Sequence, residues 1–295
     1  MASLRDVQDK IGGVKKTKQI TNAMNMIASV KLRGAQSRIE RFRPYADKFF
    51  EVLLDLTSKT SDVAHPLLEK RAEKKTAGIV LVTSDRGLCG GFNMGIITAA
   101  VKLAEKYVSE GITPKFYCVG RKGRDAVRRL GYEILSEEIG QLNSFDFQLA
   151  VGLSNTVLHD FTVGNVDEVH VIHGKFVSLA RQEPAIVPIL PIAGDVLQGS
   201  TEEETGGSAM EYAYEPSVSA LLADILPRFV KVQMYRGLLD TSASEHAARM
   251  TAMDNATRNC DDIISALTLL FNKTRQAAIT TDLIDIVAGA EALNG

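Results

Sequence analysis

The chain has 295 residues, with 34 Lys and Arg against 36 Asp and Glu, a formal net charge of −2, and 45% hydrophobic and 24% charged residues. That length accommodates one large or two modest domains with a sizeable core, and the near-average composition excludes a disordered chain, a collagen-like repeat and a globally basic nucleic-acid binder. The absence of Trp, the 6% aromatic content and only 8 Pro suit long helices better than a pocket-rich enzyme.

The first residues, Met1 to Val7, lack a charged start followed by an apolar core, so no secretory signal is expected. The longest apolar runs, 78–83 and 186–193, fall far short of the roughly 20 residues that span a bilayer. Cys89, Cys118 and Cys260 are scattered, with no CxxC spacing and no His partner for zinc. Structural thiols in a reduced, cytosolic setting are expected.

From residue 3 to 57 apolar residues recur at helical spacing. Leu4, Val7, Ile11 and Val14 alternate in steps of three and four; the stripe then shifts to Ile20, Ala23/Met24 and Ile27, and resumes at Ile39, Phe42, Ala46, Phe49, Leu53 and Leu56. This predicts one long helix with a stutter, about 80 Å in length. Its charge is uneven. Residues 1–43 carry ten basic side chains (Arg5, Lys10, Lys15, Lys16, Lys18, Lys31, Arg33, Arg38, Arg41, Arg43) against Asp6, Asp9 and Glu40. Such a stripe suits acidic protein loops or anionic surfaces. Nucleic acid is the weaker choice, because no aromatics are interleaved with the bases before Phe42 and no reading module is present.

The middle of the chain changes period. Residues 78–83 (GIVLVT) form a short β-branched strand, followed by a glycine-rich turn and a helix over 94–110. A second strand (116–119), a basic helix (122–130), a helix near 145–160, a third strand (168–173) and a fourth (186–190) follow. Strands alternating with helices of 10–15 residues predict βαβ units on a small, mainly parallel sheet. A Rossmann-like α/β domain at 75–210 is thus expected between a helix at 1–57 and another at 211–295.

The last helix carries the stronger seam: Val218, Leu222, Ile225, Phe229, Val232, Arg236, Leu239, Ala243, His246, Met250, Met253, Thr257, Cys260, Ile264, Leu267 and Phe271. A continuous helix over 216–289 would reach about 110 Å. The two terminal helices are expected to pair as an antiparallel coiled coil, with Arg236 and His246 as polar breaks that fix register.

The most enzyme-like segment is Ser84 to Asn93 (SDRGLCGGFN), which follows a strand and opens a helix, where phosphates often bind. It matches neither GxGxxG nor GxxxxGK[ST], so a tight structural turn is the better reading. Cys89 in that turn lacks a convincing His/Asp partner set for a nucleophile. His170 and His173 stand three apart on a strand, on opposite faces, and so cannot pair on a metal. Glu202 to Glu204, before Thr205-Gly206-Gly207, reads as a solvated loop.

Several segments together resemble the gamma subunit of bacterial rotary F-type ATP synthases across essentially the whole chain. They are Ile11 to Leu32 (IGGVKKTKQITNAMNMIASVKL), Ser84 to Asn93, Tyr212 to Pro216 (YAYEP), Ser244 to Met250 (SEHAARM), Asn272 to Thr280 (NKTRQAAIT), and the closing Thr281, Asp282, Asp285 and Gly289-Ala290. Asp282 stands where the family usually has Glu.

The resemblance implies a non-catalytic central rotor shaft. It would carry torque from an ion-driven membrane c-ring to the hexamer of alpha and beta subunits, and so couple ion flow to ATP synthesis or hydrolysis. The implied partners are alpha, beta, epsilon and the c-ring; no cofactor, metal or catalytic residue is implied. The implied location is peripheral, on the cytoplasmic face of the bacterial inner membrane. Arg275, Gln276 and Thr280 match the contact with the beta catch loop, and Met24 a position facing the beta lever, where an added positive charge over-strengthens contact. Arg249 and Glu215 match coupling or assembly positions, and Tyr212 and Glu215 the foot facing epsilon and the ring. The inserted cysteine pair of the chloroplast form is missing, so thiol switching is not implied. The competing reading is an α/β nucleotide- or phosphate-binding enzyme with helical oligomerisation arms, using the Ser84–Asn93 turn.

Overall fold

A computed structural model of the chain describes residues 4–58, 65–69, 71, 73–142, 145–192 and 218–294. The elements are α1 (Leu4–Ser58), β1 (Thr76–Val82), α2 (Phe92–Ser109), β2 (Thr113–Val119), α3 (Arg121–Leu130), β3 (Glu133–Glu138), α4 (Phe147–Val163), β4 (Glu168–Phe176), β5 (Gln182–Leu190) and α5 (Val218–Asn294). By compactness they divide into two units: Met1–Ala28 with Met250–Gly295, and Ser29–Arg249.

In the first unit the ends of α1 and α5 pair antiparallel. Lys18 Nζ meets Asp261 Oδ1 at 2.5 Å, the Thr21 and Thr257 hydroxyls are 2.8 Å apart, and Asn25 Nδ2 donates to the Met250 carbonyl at 3.1 Å. Ascending positions on one helix meet descending positions on the other. The stripe buried along α1 runs Leu4, Val7, Ile11, Val14, Lys18, Thr21, Asn25, Ala28, Leu32, Ala35, Ile39, Phe42, Ala46, Phe49, Leu53 and Leu56, all buried or half-buried. It keeps an unbroken three-four alternation.

The expected stutter is therefore corrected. Ile20 and Ile27 are 61% and 58% exposed, and Ala23 is exposed too. Lys18, Thr21 and Asn25 hold the seam because each finds a polar partner across it, which removes the cost of burying it. Beyond Arg249, the seam of α5 falls as expected on Met253, Thr257, Cys260, Ile264, Leu267 and Phe271, and continues through Thr274 and Ala278.

The second unit is built on a five-stranded sheet of order β3-β2-β1-β4-β5. β1 pairs parallel with β2 and β4, β2 pairs parallel with β3, and β5 runs antiparallel to β4. Two features differ from expectation. β3 was not foreseen: its edge position tolerates Glu133, Glu137 and Glu138, which hide the alternation of a strand. β5 is antiparallel because the link from Phe176 to Gln182 is too short for a crossover, and an edge strand accommodates Pro184 and Pro188.

Each face of the sheet is covered. On one, Ile79, Leu81, Phe116, Cys118 and Ile172 pack against Ile96, Ala100 and Ala104 of α2 and Val127 of α3. On the other, Val80, Val82, Tyr117, Val119, Val169 and Val171 share a core with α4 (Ala150, Leu153, Val157, Phe161), α1 (Ala46, Phe50, Leu53, Leu56) and α5 (Leu222, Leu226, Phe229, Leu238). There the two long helices again run antiparallel: Phe50 meets Phe229 edge-on at 5.8 Å and Phe42 meets Tyr235 at 4.8 Å. Such aromatic pairs contribute about 0.5–1.5 kcal/mol beyond their buried area.

Arg71 pins the segment between α1 and β1. It bonds Asp167 at 2.6 Å and the carbonyls of Phe161 and Val166, while Asp167 accepts the main-chain N–H groups of Lys75 and Thr76. His170 meets the Tyr107 hydroxyl of α2 at 3.0 Å and His173 faces Gly237 of α5, so the two histidines stand on opposite faces of the sheet.

Candidate functional site

The expected partner-contact residues on α5 stand on the outer side of its last packed turn and just past it. Thr274 and Ala278 are half-buried, whereas Arg275, Gln276 and Thr280 are exposed. Gln276 and Thr280 are one turn apart, and the Thr280 hydroxyl donates to the Gln276 carbonyl at 2.9 Å. These three form one polar surface. From 279 to 290 every residue is exposed, including Ile279, Leu283, Ile284, Ile286 and Val287. At about 100° per residue these five fall within one broad arc, with Thr281, Asp282 and Asp285 on the opposite side, so this end of the helix leaves a wide apolar face exposed, a pattern that marks a surface for a partner.

Met24 of α1 is half-buried and sits in the row of exposed Ile20, Ala23 and Ile27 displaced from the seam. Most basic residues of this helix are exposed. Lys18 is tied to Asp261, and Arg38 lies 5.0 Å over the Phe145 ring and donates to its carbonyl. Tyr212 and Glu215, like Glu202 to Glu204, lie outside the described residues.

The Ser84–Asn93 turn binds itself. The Ser84 N–H donates to Asn93 Oδ1 at 3.0 Å, Asn93 Nδ2 donates to the Ser84 hydroxyl at 2.8 Å, and the Ser84 hydroxyl reaches the Arg86 carbonyl at 2.5 Å. Asp85 Oδ1 accepts the N–H groups of Arg121, at the start of α3, and of Gly140. A carboxylate of the chain itself thus caps the N-terminus of α3, while the side chains of the turn that opens α2 bond to one another. Gly120 is required there: a Cβ would lie 2.0 Å from the Thr83 carbonyl oxygen, and its φ is 90°.

Cys89 is buried, and burial raises its thiol pKa in spite of the nearby Arg249. That is the reverse of an activated nucleophile. Among the described residues no group of three or more His, Cys, Asp or Glu is placed to hold a metal ion.

The coupling candidate Arg249 is nearly buried. Its guanidinium bonds Glu245 Oε1 at 2.7 Å and the Gly87 carbonyl at 3.3 Å, with side-chain exposures of 11% for Arg249 and 4% for Glu245. It therefore ties α5 to the glycine turn. Burial raises the Glu245 pKa against the opposing effect of Arg249. Sequence reasoning missed Glu245, Thr241 and Ser244. The available signal was the run Thr241 to Ala248 (TSASEHAA), small and polar inside a helix otherwise read by its apolar seam, and buried throughout.

The family profile described as ATP synthase matches residues 3–293. The ATP synthase gamma chain of Nitratidesulfovibrio vulgaris is 62% identical over 295 residues, covering all of both chains, and that of Maridesulfovibrio salexigens is 59% identical over the same coverage. Among solved structures, the Tetrahymena thermophila mitochondrial ATP synthase central stalk and c-ring contains a chain with a TM-score of 0.57 at 25% identity, covering 80% of this chain and 99% of that one. A chain of the Euglena gracilis mitochondrial ATP synthase shares the fold with a TM-score of 0.66 at 20% identity, covering 98% and 94%. Paired antiparallel terminal helices, a five-stranded α/β unit, and full-length matches at this identity place the chain in the ATP synthase gamma-chain family.

Proposed function

We propose that this chain is the turning shaft of a bacterial F-type ATP synthase. The observation that carries this reading is the end of α5, where residues 279–290 are exposed and Ile279, Leu283, Ile284, Ile286 and Val287 are apolar. A lone helix with that surface is unfavourable in water by roughly 25 cal/mol for each Å² of apolar area left wet. A sleeve of alternating alpha and beta subunits removes that cost, and apolar contact, being non-directional, lets the helix turn inside it.

On this reading residues 1–57 and 211–295 form the shaft and residues 75–210 the base, with the base and Tyr212 and Glu215 directed to epsilon and the membrane c-ring. Arg275, Gln276 and Thr280 meet the catch loop of beta, and Met24 with its exposed apolar row meets the beta lever. The basic side chains of α1 face acidic segments through contacts worth about 0–1 kcal/mol each, weak enough to break at every step. No described helix is long and apolar enough to cross a membrane. On the rotor reading the chain sits at the cytoplasmic face of the inner membrane, held there by its complex.

The test is reconstitution with alpha and beta subunits from the same cell, with a bead fixed to the α/β unit. ATP-driven rotation in one direction is the expected result. A complex that hydrolyses ATP at full rate without this chain, or an assembled complex whose bead never turns, contradicts the reading.

A further inference from the structure

Eight consecutive residues of α5, Thr241 to Ala248, are buried on every side of the helix. Their chemistry is not that of an oily core. Gly174, two residues past the last position of β4 that pairs with β1, donates its N–H to the Thr241 hydroxyl at 3.2 Å and accepts from the Ser244 hydroxyl at 3.1 Å. Both polar main-chain groups of one strand residue are thus held by two side chains a single turn apart on one helix.

The approach is close on both sides. A Cβ on Gly174 would lie 2.5 Å from the Phe92 ring, and one on Gly237, a turn before Thr241, 3.1 Å from the His173 ring. Two turns after Thr241, Arg249 reaches the Gly87 carbonyl. Within about three turns α5 therefore grips both β4 and the β1–α2 turn.

Apolar packing is non-directional and lets surfaces slide at small cost, whereas a hydrogen bond weakens steeply with misalignment. A helix that must turn with its base cannot rely on packing alone, because twisting about the helix axis preserves buried area better than it preserves bond angles. We propose that Thr241 and Ser244, bonded to Gly174, are the torque-bearing joint between the α/β base and the shaft helix. The proposal rests on the rotor reading above. Thr241 and Ser244 touch no reacting atoms and act by positioning α5 on β4.

The test uses the alpha–beta complex containing the full chain, with a bead on the α/β unit and the catalytic sites stalled by ADP. Torsional stiffness is read from the angular spread of the bead. The Thr241→Val, Ser244→Ala double variant, which removes both hydroxyls at nearly constant volume, is expected to lower stiffness at least about twofold while ATP hydrolysis stays within about twofold of wild type. Thr241→Ser keeps a hydroxyl and should keep wild-type stiffness.

If the double variant fails to assemble, Thr241→Val and Ser244→Ala are measured singly, and each should fall between wild type and the twofold loss. A lowered thermal midpoint with unchanged stiffness would mark a merely structural contact and overturn the proposal. A wild-type bead that does not rotate under ATP defeats the rotor reading and this joint with it. Rotation of wild type with unchanged variant stiffness defeats the joint alone.

Discussion

Arg249 and Glu245 illustrate how much a buried ion pair depends on both members. With the guanidinium gone, Glu245 would be left as a buried charge with its principal partner missing, a situation that costs about 3–5 kcal/mol. Arg249→Ala should therefore destabilise the chain by about 3 kcal/mol, and adding Glu245→Gln should recover part of that loss. Urea unfolding of the wild type and the two variants measures it; a double variant no more stable than Arg249→Ala contradicts the argument. His173 and His246 make a second case. Burial first, then Arg236 and Lys175 for His173 and Arg249, Lys31 and Arg38 for His246, lower each pKa to about 4. Both rings are neutral in the folded chain and charge more readily when it unfolds. Their stabilising effect is complete above the ordinary value of about 6.5 and is lost as pH falls towards 4. Glu245, with its pKa raised, opposes this, since protonation relieves a buried charge. The urea midpoint should decline from pH 6.5 to 4, and His173→Leu with His246→Leu should flatten the decline. The i,i+4 spacing of Glu245 and Arg249 was open to reading in the sequence, but their burial, the reach of Arg249 to Gly87 and the charges facing His173 and His246 from other elements were not, because those depend on tertiary contact.

At the scale of elements, the α5 seam was read correctly because its interruptions, Arg236, His246 and Thr257, are separated by apolar positions that keep the beat. The seam of α1 was misread between Val14 and Ala28, where three successive positions are polar and a neighbouring row of apolar residues offers a false continuation. Hydrophobic periodicity cannot separate a buried seam from an apolar row waiting for another chain. The distinction has an experimental consequence. Ile20→Lys with Ile27→Lys changes residues that are mostly exposed, and the isolated chain should keep its stability within about 0.5 kcal/mol. Binding to alpha and beta subunits should weaken at least about tenfold, since the apolar row is then charged. Thermal unfolding of the isolated chain and a titration of complex formation separate the two effects. A large loss of intrinsic stability would return these residues to the seam, and undiminished assembly would leave the row without a partner. β3 was invisible for a related reason: an edge strand has only one paired side, so its charged residues satisfy solvent and obscure the period.

For the whole molecule, the net charge of −2 conceals a helix with ten basic residues against three acidic ones in its first 43 positions. The scarcity of aromatic residues fits two long helices whose seams use Leu, Ile, Val, Met and Ala. The family was legible because its motifs are local, whereas the buried collar at Thr241–Ala248 depends on tertiary contact. Met24 brings these scales together. It is half-buried beside the seam and next to the exposed row, and a lysine there can lay its stem along apolar surface and carry its charge outward. Met24→Lys should therefore fold and assemble. The added charge would strengthen contact with an acidic lever, and an attraction that must be broken at every step raises the barrier to turning even when binding improves. ATP-driven ion pumping in membrane vesicles should fall more than ATP hydrolysis does, and the difference should shrink as salt screens the new contact. Equal losses of pumping and hydrolysis, or a difference indifferent to ionic strength, would mean that residue 24 acts on packing and not on the charge between rotor and lever.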